Sequence, residues 1–341
     1  MNRRWICSEV WMDILPSFDH AQLGLKMALL SDRFDVLVDA HFDGKTTELT
    51  IWRRIRIDKD KGPEPKLSVF IDGRWVDFPM PDRALPNKIR FKDLQIEYID
   101  HSVIEFIRAN KQIWDRMGTS LDLVIKNVQP IWDVLVREIW RIFAPNMRHF
   151  VVRDGDALDS LRRRTSPTIL TELDQLNSID SGLLFPDGIA DEGANATAGQ
   201  VLSKWLHTPS KNGLLKRLVC WSRSQRKEWI NNFKESFLCA TTSSSYIIQL
   251  TFYTIPAPNE QFELVNEGTN EKLIMWEESE NNLLLKRCPI SEKAATIQWI
   301  YEIWDDNLNN VQFNLWRGSD NIGPLSPPAA EKEKADESNE N

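Results

Sequence analysis

The sequence predicts an α+β or α/β protein: three short N-terminal helices, then an irregular strand-helix repeat that is leucine-rich-repeat-like or an open sheet, then a C-terminal antiparallel meander. Three observations carry this. Apolar residues recur every fourth position through the opening segment, which places them on one helical face. Strand-like and helix-like segments then alternate, with strand starts about 26 to 39 residues apart, a spacing that suits right-handed βα units. From Gln261 short strands follow one another across two-residue turns.

The elements follow in order. Ile6, Val10, Ile14 and Phe18 form the first stripe, with Trp11 and Leu15 beside them. Asp19-His20-Ala21-Gln22 is close to a capping box and opens a second run from Leu23 to Leu30. Phe34, Leu37, Val38 and Phe42 make a third helix that Asp43-Gly44 closes. The period then becomes two: Leu49, Ile51, Ile55 and Ile57 share a face, and Leu67 to Phe78 fold back around Asp72-Gly73. Pro79, Pro81 and Pro86 make a stiff linker.

Strands are expected at 94–99, 120–125, 147–152, 176–180, 215–221 and 245–253, each followed by a helix with an apolar stripe, such as Ile131, Leu135, Ile139 and Phe143 before Pro145. Residues 186–199, rich in Gly, Ala and Asp, read as a mobile loop. Segments 262–266, 272–278 and 283–289 form the meander, a helix carries Ile297, Ile300, Tyr301 and Trp304, and 311–316 is a last strand. The expected organisation is a helical module at 1–43, a hairpin and proline linker at 44–87, an αβ domain at 88–316 and a disordered acidic tail at 317–341.

Composition narrows the function. A net charge of −8 provides no electrostatic footprint for nucleic acid or an anionic membrane. Glu9 and Asp13 interrupt any signal-peptide core, and no apolar run reaches the roughly 18 residues of a membrane span, so a cytoplasmic or nuclear location is expected. The four cysteines lack paired spacing and read as buried thiols.

The usual nucleotide, serine-nucleophile and zinc motifs are missing, and no cofactor or metal is expected. The histidines stand singly. His207 could meet Cys220 or Cys239 only through the fold. The run Arg162-Arg163-Arg164 reads as a solvated helix end, and Trp132, Trp140, Trp205 and Trp229 read as core.

The opening stretch "ICSEVWMDILPSFDHAQLGLKMALLSDRFDVLV" resembles an F-box: Ile6, Glu9, Val10, Ile14 and Leu15 match its first helix, Leu23, Leu25 and Leu29 its second, and Arg33-Phe34 its Arg-Trp ending. Cys7 stands where the family usually has proline, and Pro16 where its helix continues. Beyond it, "LGLKMALLSDRFDVLVDAHF", "LPNKIRF", "YIDHSVIEF", "KWLHTP" and "LLLKRCPI" are similar to the associated region of F-box families expanded in nematodes, so that the likeness runs from residue 6 to about 316.

The resemblance implies a non-catalytic substrate-recognition subunit of a Skp–cullin–F-box ubiquitin ligase. It implies that Ile6, Val10, Ile14, Leu15, Leu23, Leu25, Leu29 and Phe34 dock on the Skp adaptor. A protein substrate would then sit on strand ends or on a concave sheet face of the larger domain. The competing expectation is a non-catalytic scaffold whose N-terminal helices only cap that domain. An enzyme with an unrecognised site is the third.

Overall fold

A computed structural model describes residues 6–18, 22–45, 50–59, 62–85, 89–125, 129–153, 155–211, 213–224, 227–253, 260–291 and 308–325. Helix α1 (Ser8–Ile14) gives way to a 3-10 turn at Leu15–Ser17, where Pro16 cannot donate the next helical hydrogen bond. The second apolar run is a wide π turn at Leu23–Met27 passing into a 3-10 turn at Ala28–Leu30, and α2 spans Asp32–Lys45.

The strands join one sheet of 13 strands: β1 (Thr50–Asp58), β2 (Lys66–Ile71), β3 (Arg74–Pro79), β4 (Ile89–Ile96), β5 (Thr119–Ile125), β6 (Met147–Val152), β7 (Ser178–Asp180), β8 (Lys216–Ser222), β9 (Tyr246–Phe252), β10 (Phe262–Asn266), β11 (Glu271–Ser279), β12 (Asn282–Pro289) and β13 (Asn309–Leu315). Their spatial order is β10-β11-β12-β9-β8-β7-β6-β5-β13-β4-β1-β2-β3. The central block from β1 to β9 is parallel throughout. Antiparallel strands extend it at both ends, β2 and β3 beside β1, and β12, β11 and β10 beside β9. The β2–β3 turn has positive φ at Asp72 (48°) and Gly73 (80°), the type I' geometry that the Asp-Gly pair favours.

The sequence leaves open the side to which the hairpin belongs, and one other placement differs from its expectation. The hairpin lies within the sheet, because β1 pairs along its length with β4, which begins at Ile89. Residues 318–325 pack on the body although the tail was expected from 317: Ile322 bridges Ile99, and the backbone N–H groups of Ile99 and Gly323 donate to Asn321 and Ile99 at 2.8 Å. Half-buried Ile322 packs against the apolar core, which an acidic tail pattern does not predict. The helix expected around Ile297 to Trp304 and residues 326–341 lie outside the described residues.

Helices connect the parallel strands: α3 (His101–Ala109), α4 (Lys111–Met117), α5 (Gln129–Val134, continuing through a wide turn Leu135–Ile139 into Trp140–Phe143), α6 (Gly155–Arg164), α7 (Ile169–Glu172), α8 (Ala198–His207) and α9 (Lys227–Leu238). Asp100 caps α3 by accepting from the Val103 N–H, and Thr197 with Gln200 forms a capping box on α8. Side chains alternate along each strand, so one face carries Leu94, Val311, Phe313, Leu121, Phe150 and Leu218, all buried. Ring contacts place helices on this face: Phe143 of α5 lies 6.1 Å from Phe313, Trp140 5.9 Å from Phe150, and Phe233 of α9 6.1 Å from Tyr246. Trp132, Trp140 and Trp205 are buried in this core, and Trp229 is half-buried with its indole N–H on Pro186.

Two corrections concern polar groups. Arg162 is only 5% exposed and is no solvated helix end: it donates to the carbonyls of Pro167, Gly193 and Ala196 and to Asp159, so the 186–197 loop is held to α6. Among the cysteines Cys220 and Cys288 are buried, whereas Cys7 and Cys239 are exposed. His207 stacks on Phe233 and faces Tyr246, and the Cys220 thiol contacts Ser181 Oγ at 3.3 Å.

Candidate functional site

Two surfaces could engage a partner. The first is formed by the N-terminal helices. Of the eight candidate anchors, Ile6 and Val10 are exposed (44% each), Ile14, Leu29 and Phe34 are half-buried, and Leu15, Leu23 and Leu25 are buried at 0–2%. The buried three belong to one apolar cluster with Val38, Phe42 and the sheet core, because the π and 3-10 turns swing both Leu23 and Leu25 inward. Trp11 and Phe34 pack edge to face at 4.8 Å, and Arg33 Nη2 donates to the Ile6 carbonyl at 2.6 Å. That bond sets α1 beside the first turn of α2. Two residues outside the candidate set are also exposed in these helices, Leu30 (63%) and Val36 (68%), the latter one turn on from Arg33. Lys26 over the Phe78 ring (5.2 Å) and Arg83 on Asp32 (2.9 Å) fasten the module to the β2–β3 hairpin and the segment after it.

The second surface is the sheet face opposite the helices. It carries a groove of about 580 Å³ that runs from Trp75 of β3 to Trp221 of β8. Register aligns its floor in rows: Arg54, Asp93, Asn310, Ser120 and His149 in one, with Ser178 the next position along that row beyond the lining, and Gln95, Gln312, Asp122, Val151 and Asp180 in the next. β13 supplies the amides that stitch these rows together. Asn310 Nδ2 donates to Asp93 at 3.0 Å, and Gln312 Nε2 to Asp122 at 2.8 Å. Arg153 holds Asp122 through two hydrogen bonds, 3.3 Å from Nε and 2.7 Å from Nη2, which raise the pKa of the guanidinium further. Arg54 lies over Phe70 and Arg56 over Trp75, at 5.4 and 4.8 Å.

Asp180 is set by the turn after β7. Gly182 has φ +56°, its N–H donates to Asp180 at 3.1 Å, and an added Cβ would meet the Arg153 carbonyl oxygen at 2.6 Å, so glycine is required. Burial pushes the Asp180 carboxyl above the usual carboxylate range. Ser178, on the same face two residues earlier, is 7% exposed, and its Oγ has no hydrogen-bond partner among the described residues. Candidate residues from the sequence did not include these positions. The signal that could have found them is the polar half of each strand's alternation, as in Asn310, Gln312 and Asn314.

His149 in the groove and His207 in the core both have pKa values pushed down to about 4, chiefly by burial and then by Arg217 and Arg287 respectively. Their folded pKa lies below the unfolded value of about 6.5, so the unfolded chain takes up protons first on acidification. The stability they contribute is fully present above about pH 6.5 and declines toward pH 4. Urea unfolding at pH 7.5 and pH 5.0 is expected to show a loss of up to about 2 kcal/mol per histidine. His149→Gln with His207→Gln should flatten that slope, and an unchanged slope would refute the assignment.

Among the described residues no group of three or more His, Cys, Asp or Glu side chains could hold a metal ion, and no helix is long and apolar enough to cross a membrane. Comparison of the chain with protein-family models, with curated proteins and with solved structures finds no match. The assignment of a function therefore rests on these two surfaces and on the sequence likeness.

Proposed function

We propose that this protein is the substrate-recognition subunit of a Skp–cullin–F-box ubiquitin ligase, active in the cytoplasm or nucleus. It would dock on the Skp adaptor through its N-terminal helices and hold a protein substrate on the open sheet face. The observation that carries the reading is the exposure of Ile6, Val10, Leu30 and Val36, all within the F-box-like stretch, which leaves large aliphatic side chains in water. No catalytic residue is needed. Holding a substrate near a ubiquitin-loaded enzyme raises its effective concentration, and that accelerates transfer.

The geometry moves the proposed contact set. Leu15, Leu23 and Leu25 hold the three helices against the body, so the adaptor would meet Ile6, Val10 and Val36, with Ile14, Leu29 and Phe34 at the margin. Burying each large aliphatic side chain contributes about 1.5–3 kcal/mol, so a few anchors suffice. Co-expression with the Skp adaptor is expected to yield a stable complex. Val10→Asp with Val36→Asp should weaken it by at least about 100-fold while leaving the fold intact, since both side chains already face water. Failure of the intact protein to retain the adaptor sinks the ligase reading.

One observation favours the second reading, a scaffold whose helices serve as a cap: Leu15, Leu23 and Leu25 share the apolar cluster of the sheet. On that reading Val10→Asp with Val36→Asp changes no partner, whereas Leu15→Asp unfolds the module.

A further inference from the structure

The groove on the open sheet face has a charge pattern that internal pairing leaves unfinished. It is lined by three carboxylates, Asp93, Asp122 and Asp180, and two guanidiniums, Arg54 and Arg153. Arg153 is committed to Asp122. Arg54, the register neighbour of Asp93, turns onto the Phe70 ring. Asp93 accepts one amide from Asn310 and Asp180 one backbone N–H; Arg153 and Arg217 act on Asp180 from a distance without offsetting its burial, and neither carboxylate forms a direct ion pair among the described residues.

Burial raises the Asp180 carboxyl, so a cation placed there recovers solvation that the fold has removed. Exposed and half-buried aromatic rings stand around this floor. Trp75 (40% exposed) lies at one end, and at the other Trp221 and Tyr253 (57%) meet nearly perpendicular, at 83° and 5.4 Å. Aromatic faces and carboxylates together favour cationic side chains, and exposed Trp and Tyr are the residue types that anchor protein interfaces.

We infer that this groove binds an extended peptide segment bearing two basic side chains six residues apart, one against Asp93 and one against Asp180. The spacing follows from register. Asp93 on β4 and Asp180 on β7 are separated by four strand gaps and by two residues along the strand. At about 4.8 Å per gap and about 3.4 Å per residue that is roughly 20 Å. An extended chain covers roughly 20 Å in six residues, and residues i and i+6 point to the same side. The stretch of floor between β1 and β8 crosses six gaps, about 29 Å, or room for some nine residues. Ser178, buried beside Asp180 with its Oγ unpartnered, is a polar group that the fold itself leaves unsatisfied on this face. The net charge of −8 draws a basic partner in and repels an acidic one.

The inference deepens the reading of the open face as the recognition surface and does not depend on the adaptor. The test is fluorescence anisotropy with the full chain alone and a labelled nine-residue peptide carrying Lys at positions 2 and 8 among Ser, Thr and Ala. Saturable binding is expected, weakening with added salt. Asp93→Asn and Asp180→Asn, which preserve shape, should each weaken it about fivefold or more. Moving the second Lys to position 5 should cost about as much as one of these substitutions. Equal binding of the Glu-for-Lys peptide, unchanged affinity in the double variant, or no saturation at millimolar peptide would each overturn the proposal. Adaptor capture by the same double variant should match wild type, so failure of the ligase reading and failure of this one are separately visible.

Discussion

Glu271→Gln is expected to lower the unfolding free energy by about 3–5 kcal/mol, because it strips the charge from one half of a buried ion pair. Glu271 and Arg287 are 0% and 1% exposed and meet through Nε at 3.0 Å and Nη2 at 2.6 Å. Arg287 points from β12 into the helix-covered core, where it also lies 5.3 Å from the Phe237 ring and donates to the Thr242 carbonyl. Glutamine keeps the shape but leaves the guanidinium without its counter-charge in a region where desolvation costs several kcal/mol per ion. Glu271 Oε1 also accepts from Ser243 Oγ and the Ser244 N–H, so the turn entering β9 loosens with it. Urea denaturation with an unchanged m-value is the measurement. The double variant Glu271→Leu with Arg287→Met removes both charges and should recover part of the loss. A double variant worse than the sum of the singles would refute this account.

Arg162→Met is expected to cost about 3 kcal/mol, whereas Arg163→Met, one residue on, should stay within about 0.5 kcal/mol. The difference is burial. Arg163 is exposed, but Arg162 holds the carbonyls of Gly193 (2.9 Å) and Ala196 (2.8 Å) in a site with little access to water. Methionine fills the space of the stem but takes a donor from each of those oxygens and from Asp159, leaving the Gly193 carbonyl only the Ala196 N–H. The 186–197 loop should then become a site of early proteolytic nicking, since its link to α6 runs through this side chain. Limited proteolysis of both variants at equal concentration checks this, and equal cleavage of the two would show that the loop is held by other contacts.

Much of the architecture is written locally. Alternation such as Val311, Phe313 and Leu315 against Asn310, Gln312 and Asn314 marks a strand and tells its two faces apart, because side chains point to opposite sides of a pleat. Asp72-Gly73 names its own turn, since few other pairs take positive φ at both positions. The open face was therefore implicit in the strands, but its composition as a site was not. Asp93, Asn310 and Ser120 become neighbours only because β13 enters between β4 and β5, 217 residues from Asp93.

At the N-terminus, the resemblance to an F-box implied eight anchors, and periodicity identified an apolar helical module around them. It could not say which of them face outward, because Leu15 and Val10 carry the same signal. Packing against the hairpin and the sheet core separated them, burying Leu15, Leu23 and Leu25 while leaving Ile6 and Val10 in water. The charged residues show the same division. By itself the sequence determined segment type, turn chemistry and the polar or apolar half of each strand, which depend on neighbours a few residues away. Only the tertiary structure decided which apolar faces remain unburied, which arginines sit in the core, and which carboxylates meet a guanidinium, because each depends on groups that the fold brings together from distant parts of the chain.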